Sequence, residues 1–404
     1  MNQRRVAVTG LGLVCALGLD RESAWRALCG GQCGIGDLTL FEGGGYRSRM
    51  VAEVRYDPAA YFSARERRRY SRADQLAVMA TAEALADARL LETPIAKSSV
   101  GVFMGVGAND MLRNEMYYAE ALAGHRSRTR PSEILNYLDG ASSDSVAHHF
   151  GLAGLRTCMN SACSSSTMTI GYAADLVSTG QLQAAVCGGS DALSRAAVSG
   201  FNALRLVDLE PCRPFDVSRN GMSIGEGAGV LILEDMHRAR ARRAHIYAEI
   251  AGYAAYCEAY HPTAPEPDGV AVEALLKAAL ASSGVHPDEV DHINAHGTGT
   301  VPNDKTEALG IGRVFGGRAR AIPVTSIKSM IGHCLGAAGA VEAGALALTI
   351  DRRVIPPTIH HCQTDPECQV DVVANRARSQ LVACGISTSL AFGGNDAAVV
   401  MRAV

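Results

Sequence analysis

The sequence predicts an α/β protein with helix-covered sheets and a chain divided into two fused halves. Three observations carry this expectation. Short apolar runs bounded by glycine alternate with longer stretches whose apolar residues recur at helical spacing, the pattern of strands buried on both faces. The chain has 404 residues, 48% of them hydrophobic, more than one simple core accommodates. A helix of small residues opening at Ala162-Cys163 leads toward Ala184-Ala185-Val186, and a similar one opening at Gly332-His333 leads toward Val354-Ile355. Duplication would put Cys163 and His333 at comparable helix starts, facing each other across a pseudo-twofold axis.

Residues 5–9 read as a buried strand followed by a turn at Gly10 and Gly12. Residues 23–29 and 71–90 read as helices, and residues 99–104 as a central strand ending in a turn at Gly105 and Gly107. Residues 182–187 and 229–233 are further buried strands. The Arg- and Ala-rich stretch 236–245 marks the junction, so the halves are expected at 1–240 and 241–404. Beyond it, 271–283 reads as a helix, 290–294 as a strand and 339–350 as a small-residue helix; 354–359 and 385–392 close the chain.

The 42 glycines and low aromatic content suit tight turns and close packing of small residues. A net charge of −3 excludes global nucleic-acid binding. The 12 cysteines lack paired zinc spacing, so reduced thiols and no metal are expected. Gly10-Leu11-Gly12 and the Gly225 to Gly229 stretch lack dinucleotide spacing; they read as tight turns, and no cofactor is expected. The N-terminus runs into a strand pattern with no signal-peptide core, and no apolar run reaches the ~18 residues of a membrane span. A cytoplasmic protein is the expectation.

The chemistry concentrates in three segments. Cys163 lies in Asn160-Ser161-Ala162-Cys163-Ser164-Ser165-Ser166, at a helix start where free N–H groups favour a thiolate. His296 follows a strand and precedes Gly297-Thr298-Gly299-Thr300. His333 sits in Lys328-Ser329-Met330-Ile331-Gly332-His333, with Lys328 and Glu342 near enough in sequence to orient it. A hydrolase needs one base for its nucleophile. Two imidazoles suit a reaction that must both hold a thioester oxygen and handle a carboxylate leaving as carbon dioxide. Near the end, Phe392-Gly393-Gly394 reads as a mobile gate whose N–H could join that of Cys163 in an oxyanion hole.

Together with Val6 to Gly12, Pro214-Phe215-Asp216 and Gly225-Glu226-Gly227-Ala228, these motifs span nearly the whole chain. The set resembles the elongating β-ketoacyl-acyl carrier protein synthases, thiolase-fold condensing enzymes of fatty-acid and type II polyketide pathways. The resemblance implies a five-layer αβαβα thiolase fold built from two pseudo-duplicated halves. It implies that Cys163 takes an acyl chain from acyl carrier protein, and that His296 and His333 act on malonyl thioester, assisting decarboxylation and stabilising the enolate. Lys328 and Glu342 would support His333. Phe392 would gate the pocket, its N–H and that of Cys163 holding the oxyanion. Thr298 and Thr300 would line the phosphopantetheine channel. Arg65, Arg67, Arg68 and Arg69, with Arg126, Arg128 and Arg130, would receive the acidic carrier protein, although a solvated basic face fits them as well. A dimer is implied, either with itself or with a Cys-less chain-length-factor-like homologue, bringing residues 106–118 and 136–146 near the interface.

The gate departs from the family's usual Phe-Gly-Phe-Gly-Gly-Thr-Asn: here it reads Leu390-Ala391-Phe392-Gly393-Gly394-Asn395-Asp396. Ala391 in place of a hinge glycine stiffens the gate. Polar Asp139, Ser142, Ser143 and Asp144 lie in a segment expected beside the pocket. These features point toward a specialised pathway, such as type II polyketide or aryl polyene synthesis. The alternatives are a coenzyme-A-dependent thiolase with Cys384 as base, a cysteine hydrolase, and a non-catalytic scaffold; the paired histidines oppose the first and Cys163 the last.

Overall fold

In the computed structural model the structure describes residues 4–42, 44–109, 111–125, 135 and 138–404. Arg126, Arg128, Arg130 and residues 136–137 of the expected interface lie outside the described residues.

Among the described residues the main sheet has eleven strands; ten carry the fold, and the eleventh, Asp371–Val372, pairs at the edge with Pro323–Thr325. The first half supplies β1 (Val6–Val14), β2 (Val100–Gly105), β3 (Arg156–Met159), β4 (Ala184–Asp191) and β5 (Gly227–Asp235). The second supplies β6 (Ala248–Cys257), β7 (His292–Asn294), β8 (Pro323–Thr325), β9 (Cys384–Ser389) and β10 (Asn395–Arg402). The spatial orders are β1-β5-β4-β2-β3 and β6-β10-β9-β7-β8, the same path traced twice. Pairing directions repeat as well: β5 and β10 run antiparallel to both neighbours, and the remaining pairs are parallel. Antiparallel pairing of Val6–Val8 with residues 248–250 joins the halves at one edge.

Five principal helices complete the layers: α1 (Arg72–Ala88), α2 (Ser165–Ser178), α3 (Val270–Ser283), α4 (Val301–Phe315) and α5 (Ala338–Arg352). α1 packs outside β1 and β5, and α3 outside β6 and β10 with α4 against it. α2 and α5 pack on each other between the two sets of strands. This gives the five-layer thiolase arrangement. The local sequence supports each helix. Ser71 caps α1 in a capping box with Asp74. In α5 every residue from Ala338 to Ile350 is buried, as a helix covered by sheets on both sides requires. Among the described residues, no helix is long and apolar enough to cross a membrane.

Three expectations fail for identifiable reasons. Gly10 and Gly12 do not turn the chain; β1 runs through them. Their role is close approach: a Cβ on Gly12 would stand 1.9 Å from the Ala80 carbonyl oxygen on α1. The glycines of 225–229 likewise lie in strands, and a Cβ on Gly229 would meet Ala340 of α5 at 2.5 Å. Residues 354–359 form no core strand: only Val354–Ile355 is extended, pairing with Arg378–Ser379 outside the main sheet. The counterpart of β4 is therefore β9, not Val354-Ile355.

The duplication also has a different register at the helix starts. A 3₁₀ turn precedes each inner helix, Ala162–Ser164 before α2 and Leu335–Ala337 before α5. Ala162 and Leu335 open these turns, both with φ of 53°. Gly336 thus stands opposite Cys163 in the repeat, and His333 corresponds to Asn160.

The close approach at Gly12 has a direct test. Gly12→Ala should destabilise the protein by about 2–3 kcal/mol through forced overpacking. Gly200→Ala, in a helix with open space around the new methyl, should stabilise it by up to about 1 kcal/mol. Denaturant unfolding of both variants checks the pair of signs.

Candidate active site

Cys163 is delivered by a strained elbow. A non-glycine residue at positive φ costs roughly 1–3 kcal/mol, and Ala162 is held there by its surroundings. The Ser165 hydroxyl donates to the Ala162 carbonyl (2.6 Å) and accepts from the Ser161 N–H (2.9 Å). The Ser164 hydroxyl donates to the Asn395 carbonyl, tying the elbow to the gate segment.

His296 follows β7 and is fixed through its backbone. Its N–H donates to Glu307 Oε1 (2.8 Å) and lies 3.1 Å from Thr388 Oγ1, while Gly297 N–H donates to Glu307 Oε2 (2.8 Å). Glu307 belongs to α4, so helix and strand end lock the turn together. His333 follows a left-handed Gly332, and its N–H donates to the Ser223 carbonyl (2.7 Å).

The three side chains converge. The Cys163 sulfur and one ring nitrogen of each histidine all lie within 4.8 Å of one another. The two imidazoles meet edge to face with centroids 5.2 Å apart. All three line a cleft open to solvent, together with Thr298, Thr300 and Phe392. The Thr298 and Thr300 hydroxyls hydrogen-bond each other at 2.9 Å. The Phe392 ring packs on Phe201 with centroids 5.8 Å apart, and its backbone N–H lies near enough to the Cys163 thiol to favour its charged form.

Lys328 and Glu342 form a buried ion pair, but not where the spacing suggested. The Lys328 ammonium donates to Glu342 and to the His296 carbonyl (2.7 Å), and stands 3.3 Å from His296 Nδ1. It supports His296 by contact and reaches His333 only through its field. His333 is oriented instead by the Leu335 N–H, which donates to its Nδ1 at 3.0 Å.

These contacts fix the tautomers. Nδ1 of His333 accepts, so Nε2 carries the proton, and that atom is buried with no partner. Lys328 has only protons to offer Nδ1 of His296, which leaves the His296 proton on Nε2 as well. Burial, then the Lys328 charge, hold both imidazoles well below their ordinary pKa, and His333 depresses the charged form of His296 further. Both rings are neutral donors. A protonated Nε2 is not a metal ligand, so the cluster fits donation better than metal binding.

The thiol departs from the expected thiolate. Burial pushes Cys163 up to about 11, against the lowering effects of Lys328 and the Phe392 N–H. The helix start is where the sequence placed it, but desolvation outweighs it.

Arg65, Arg68 and Arg69 lie exposed on the short helix Ala64–Arg69, away from the lining of the cleft. Two residues central to the site were missed by the motif reading. Glu307 is one; acids in the first turns of the helix after the Gly-Thr turn, Asp304 and Glu307, were its signal. Asp191 is the other: its carboxylate gathers the N–H groups of Gly107 (2.8 Å), Ala108 (3.0 Å) and Gly336 (2.6 Å) beneath the two helix starts.

Residues 3–239 match the family described as beta-ketoacyl synthase, N-terminal domain, and residues 247–361 its C-terminal domain. The chain belongs to the beta-ketoacyl synthase family. A 3-oxoacyl-[acyl-carrier-protein] synthase 2 from Synechocystis sp. is 36% identical over 100% of this chain and 99% of its own. The tetracenomycin polyketide synthase ketoacyl synthase alpha subunit of Streptomyces glaucescens is also 36% identical, over 99% of this chain and 97% of its own. Among solved structures, the ishigamide ketosynthase/chain length factor superimposes with a TM-score of 0.95 at 34% identity over 100% of both chains. The chain is thus a ketosynthase-type acyltransferase.

Two outcomes follow from the site of this ketosynthase. Iodoacetamide should label Cys163 at a rate that keeps rising about tenfold per pH unit up to roughly pH 10; a plateau below pH 8 would show a preformed thiolate. Lys328→Ala should cost about 3–5 kcal/mol by leaving Glu342 buried without its partner, whereas Lys328→Met combined with Glu342→Leu should recover much of that loss in thermal unfolding.

Proposed function

We propose that the enzyme catalyses a decarboxylative Claisen condensation in a type II fatty-acid or polyketide pathway, joining malonyl thioester to an acyl chain carried on Cys163, with both substrates delivered by acyl carrier protein. The observation that carries this reading is the pair of neutral Nε2–H donors converging on a buried thiol. In the first half-reaction the Cys163 sulfur attacks the acyl thioester as its proton passes to the departing carrier thiol. The N–H groups of Cys163 and Phe392 hold the tetrahedral oxyanion. In the second, His296 and His333 donate to the malonyl thioester oxygen. Carbon dioxide leaves, and the bonding pair becomes the enolate held by those two protons. The enolate carbon attacks the acyl-Cys163 carbonyl and expels the thiolate, which takes a proton from water as the product leaves the open cleft.

Neutrality of the imidazoles matters here. An imidazolium would hand its proton to the enolate carbon and quench it; a neutral ring stabilises the oxygen without doing so. Lys328 and Glu342 hold His296, Thr298 and Thr300 guide the phosphopantetheine arm, and Phe392 gates the acyl pocket. The chemistry balances with these side chains alone, so no cofactor or metal is assigned.

The exposed Arg65, Arg68 and Arg69 suit an acidic carrier protein, and the name of the Synechocystis relative specifies acyl carrier protein. The enzyme acts as a dimer, with itself or with a chain-length-factor-like homologue of the kind named with the ishigamide ketosynthase. We take residues 1–240 and 241–404 as its two halves, and the cytoplasm as its location.

Intact-protein mass spectrometry tests the proposal. Wild type should gain an acyl adduct from acyl-carrier protein and release a two-carbon-longer product once malonyl-carrier protein is added; Cys163→Ala should gain none. His333→Ala should still be acylated while condensation falls by about 100-fold or more. Free acid released without malonyl consumption would instead identify a hydrolase.

A further inference from the structure

The loop bearing Phe392 is fastened by a carboxyl group. Asp396, at the start of β10, is 1% exposed. Its Oδ1 accepts the Ala391 N–H at 2.9 Å, next to the gate phenylalanine. Its Oδ2 is buried with no donor facing it. The side chain within hydrogen-bond reach is that of Glu258, another acceptor when ionised. Glu258 follows β6, and its N–H donates to the Gly394 carbonyl at 2.9 Å. A Cβ on Gly394 would stand 2.7 Å from Glu258 Cβ, so gate and Glu258 are in close contact. Both acids line the cleft with Cys163 and Phe392.

The surroundings cannot neutralise two charges. From α4, Glu307 adds a third negative field. His261, on the loop after β6, spends its Nδ1 on the Thr263 and Ala264 N–H groups. Across the cleft Cys163, His296 and His333 are held neutral. Lys328 is engaged by Glu342 and His296. Glu258 Oε2 already accepts the Glu266 N–H at 2.9 Å. Two carboxyls side by side in such a site cannot both ionise without repulsion.

We propose that Asp396 and Glu258 share one proton, and that this shared proton latches the loop carrying Phe392 over Cys163. Asp396 is then a positioning residue: it holds the gate through the Ala391 N–H and Glu258. Loss of the proton sets the two carboxylates against each other and frees the gate. The Asn of the family's usual gate motif cannot titrate, so the Asp gives this chain a pH-dependent gate. The inference rests on the gate reading of Phe392 given above.

The sign follows from the folded state. Burial, with Glu258 and Glu307 adding to it, raises Asp396 to about 8. A raised carboxyl stabilises the fold at low pH and loses that contribution as pH rises through about 8. The test compares wild type, Asp396→Asn and Glu258→Gln as full-length proteins between pH 6 and 9. Two readouts are taken: the rate of Cys163 acylation by octanoyl-acyl carrier protein, and the melting temperature. Cys163 chemistry is common to all three, so ratios isolate the latch. The wild-type to Asp396→Asn rate ratio should change about fivefold or more across this range, and wild type should lose melting temperature relative to Asp396→Asn as pH rises. Glu258→Gln, which lets an amide face an ionised Asp396, should show the same flattened profile and stands in if Asp396→Asn does not fold. A constant ratio with a constant gap overturns the latch. If wild type takes no acyl chain at any pH, the proposed function fails, and the melting-temperature series still decides the shared proton.

Discussion

The site depends on one steric constraint: two helix starts must approach closely enough between the strand layers for a thiol and an imidazole from different halves to meet. Small residues make this possible. A Cβ on Gly339 would stand 2.0 Å from Thr167 Oγ1, and one on Gly336 would stand 2.2 Å from the Gly107 nitrogen. Asp191 then stitches the junction, its one carboxylate accepting from both halves. Burial raises that carboxyl to about 7 despite those hydrogen bonds. The elbow at Ala162, the turn at Leu335 and the convergence of Cys163 with His333 follow from this packing.

The same burial sets the chemistry. A dry site disfavours every charge it is not built to hold. It holds one ion pair, Lys328 with Glu342, and aims the lysine at His296. The groups that face the substrate are neutral at rest: two donors with protons on Nε2, and a thiol. Reactivity is generated when a thioester enters, because the donors face the position where negative charge develops rather than charge already present.

The reactive residues were legible in the sequence because their motifs are local. A cysteine before a small-residue helix and histidines beside glycine turns announce themselves within a few residues. Strands β2, β4 and β5 and helices α1, α3 and α5 were also legible to within a few residues, since burial writes an apolar run; β6, β8, β10 and α4 were not read. What was not legible is non-local. Gly12 reads as a turn residue until α1 is seen lying across it. Val354-Ile355 reads as the counterpart of Ala184-Ala185-Val186, yet it pairs with Arg378–Ser379 outside the main sheet, and the counterpart strand is Cys384–Ser389. Lys328 is five residues before His333 but folds against His296, from a distant segment. The thiolate expected at a helix start gives way to desolvation, which no local pattern reports.

The central claim is that both imidazoles are neutral Nε2–H donors. Nitrogen-15 NMR of protein labelled in the histidine rings tests it most directly. His296 and His333, assigned by single substitutions, should keep a protonated Nε2 and an unprotonated Nδ1 from pH 5.5 to 8.5. An imidazolium at pH 7, or a proton on Nδ1 of either ring, would contradict it.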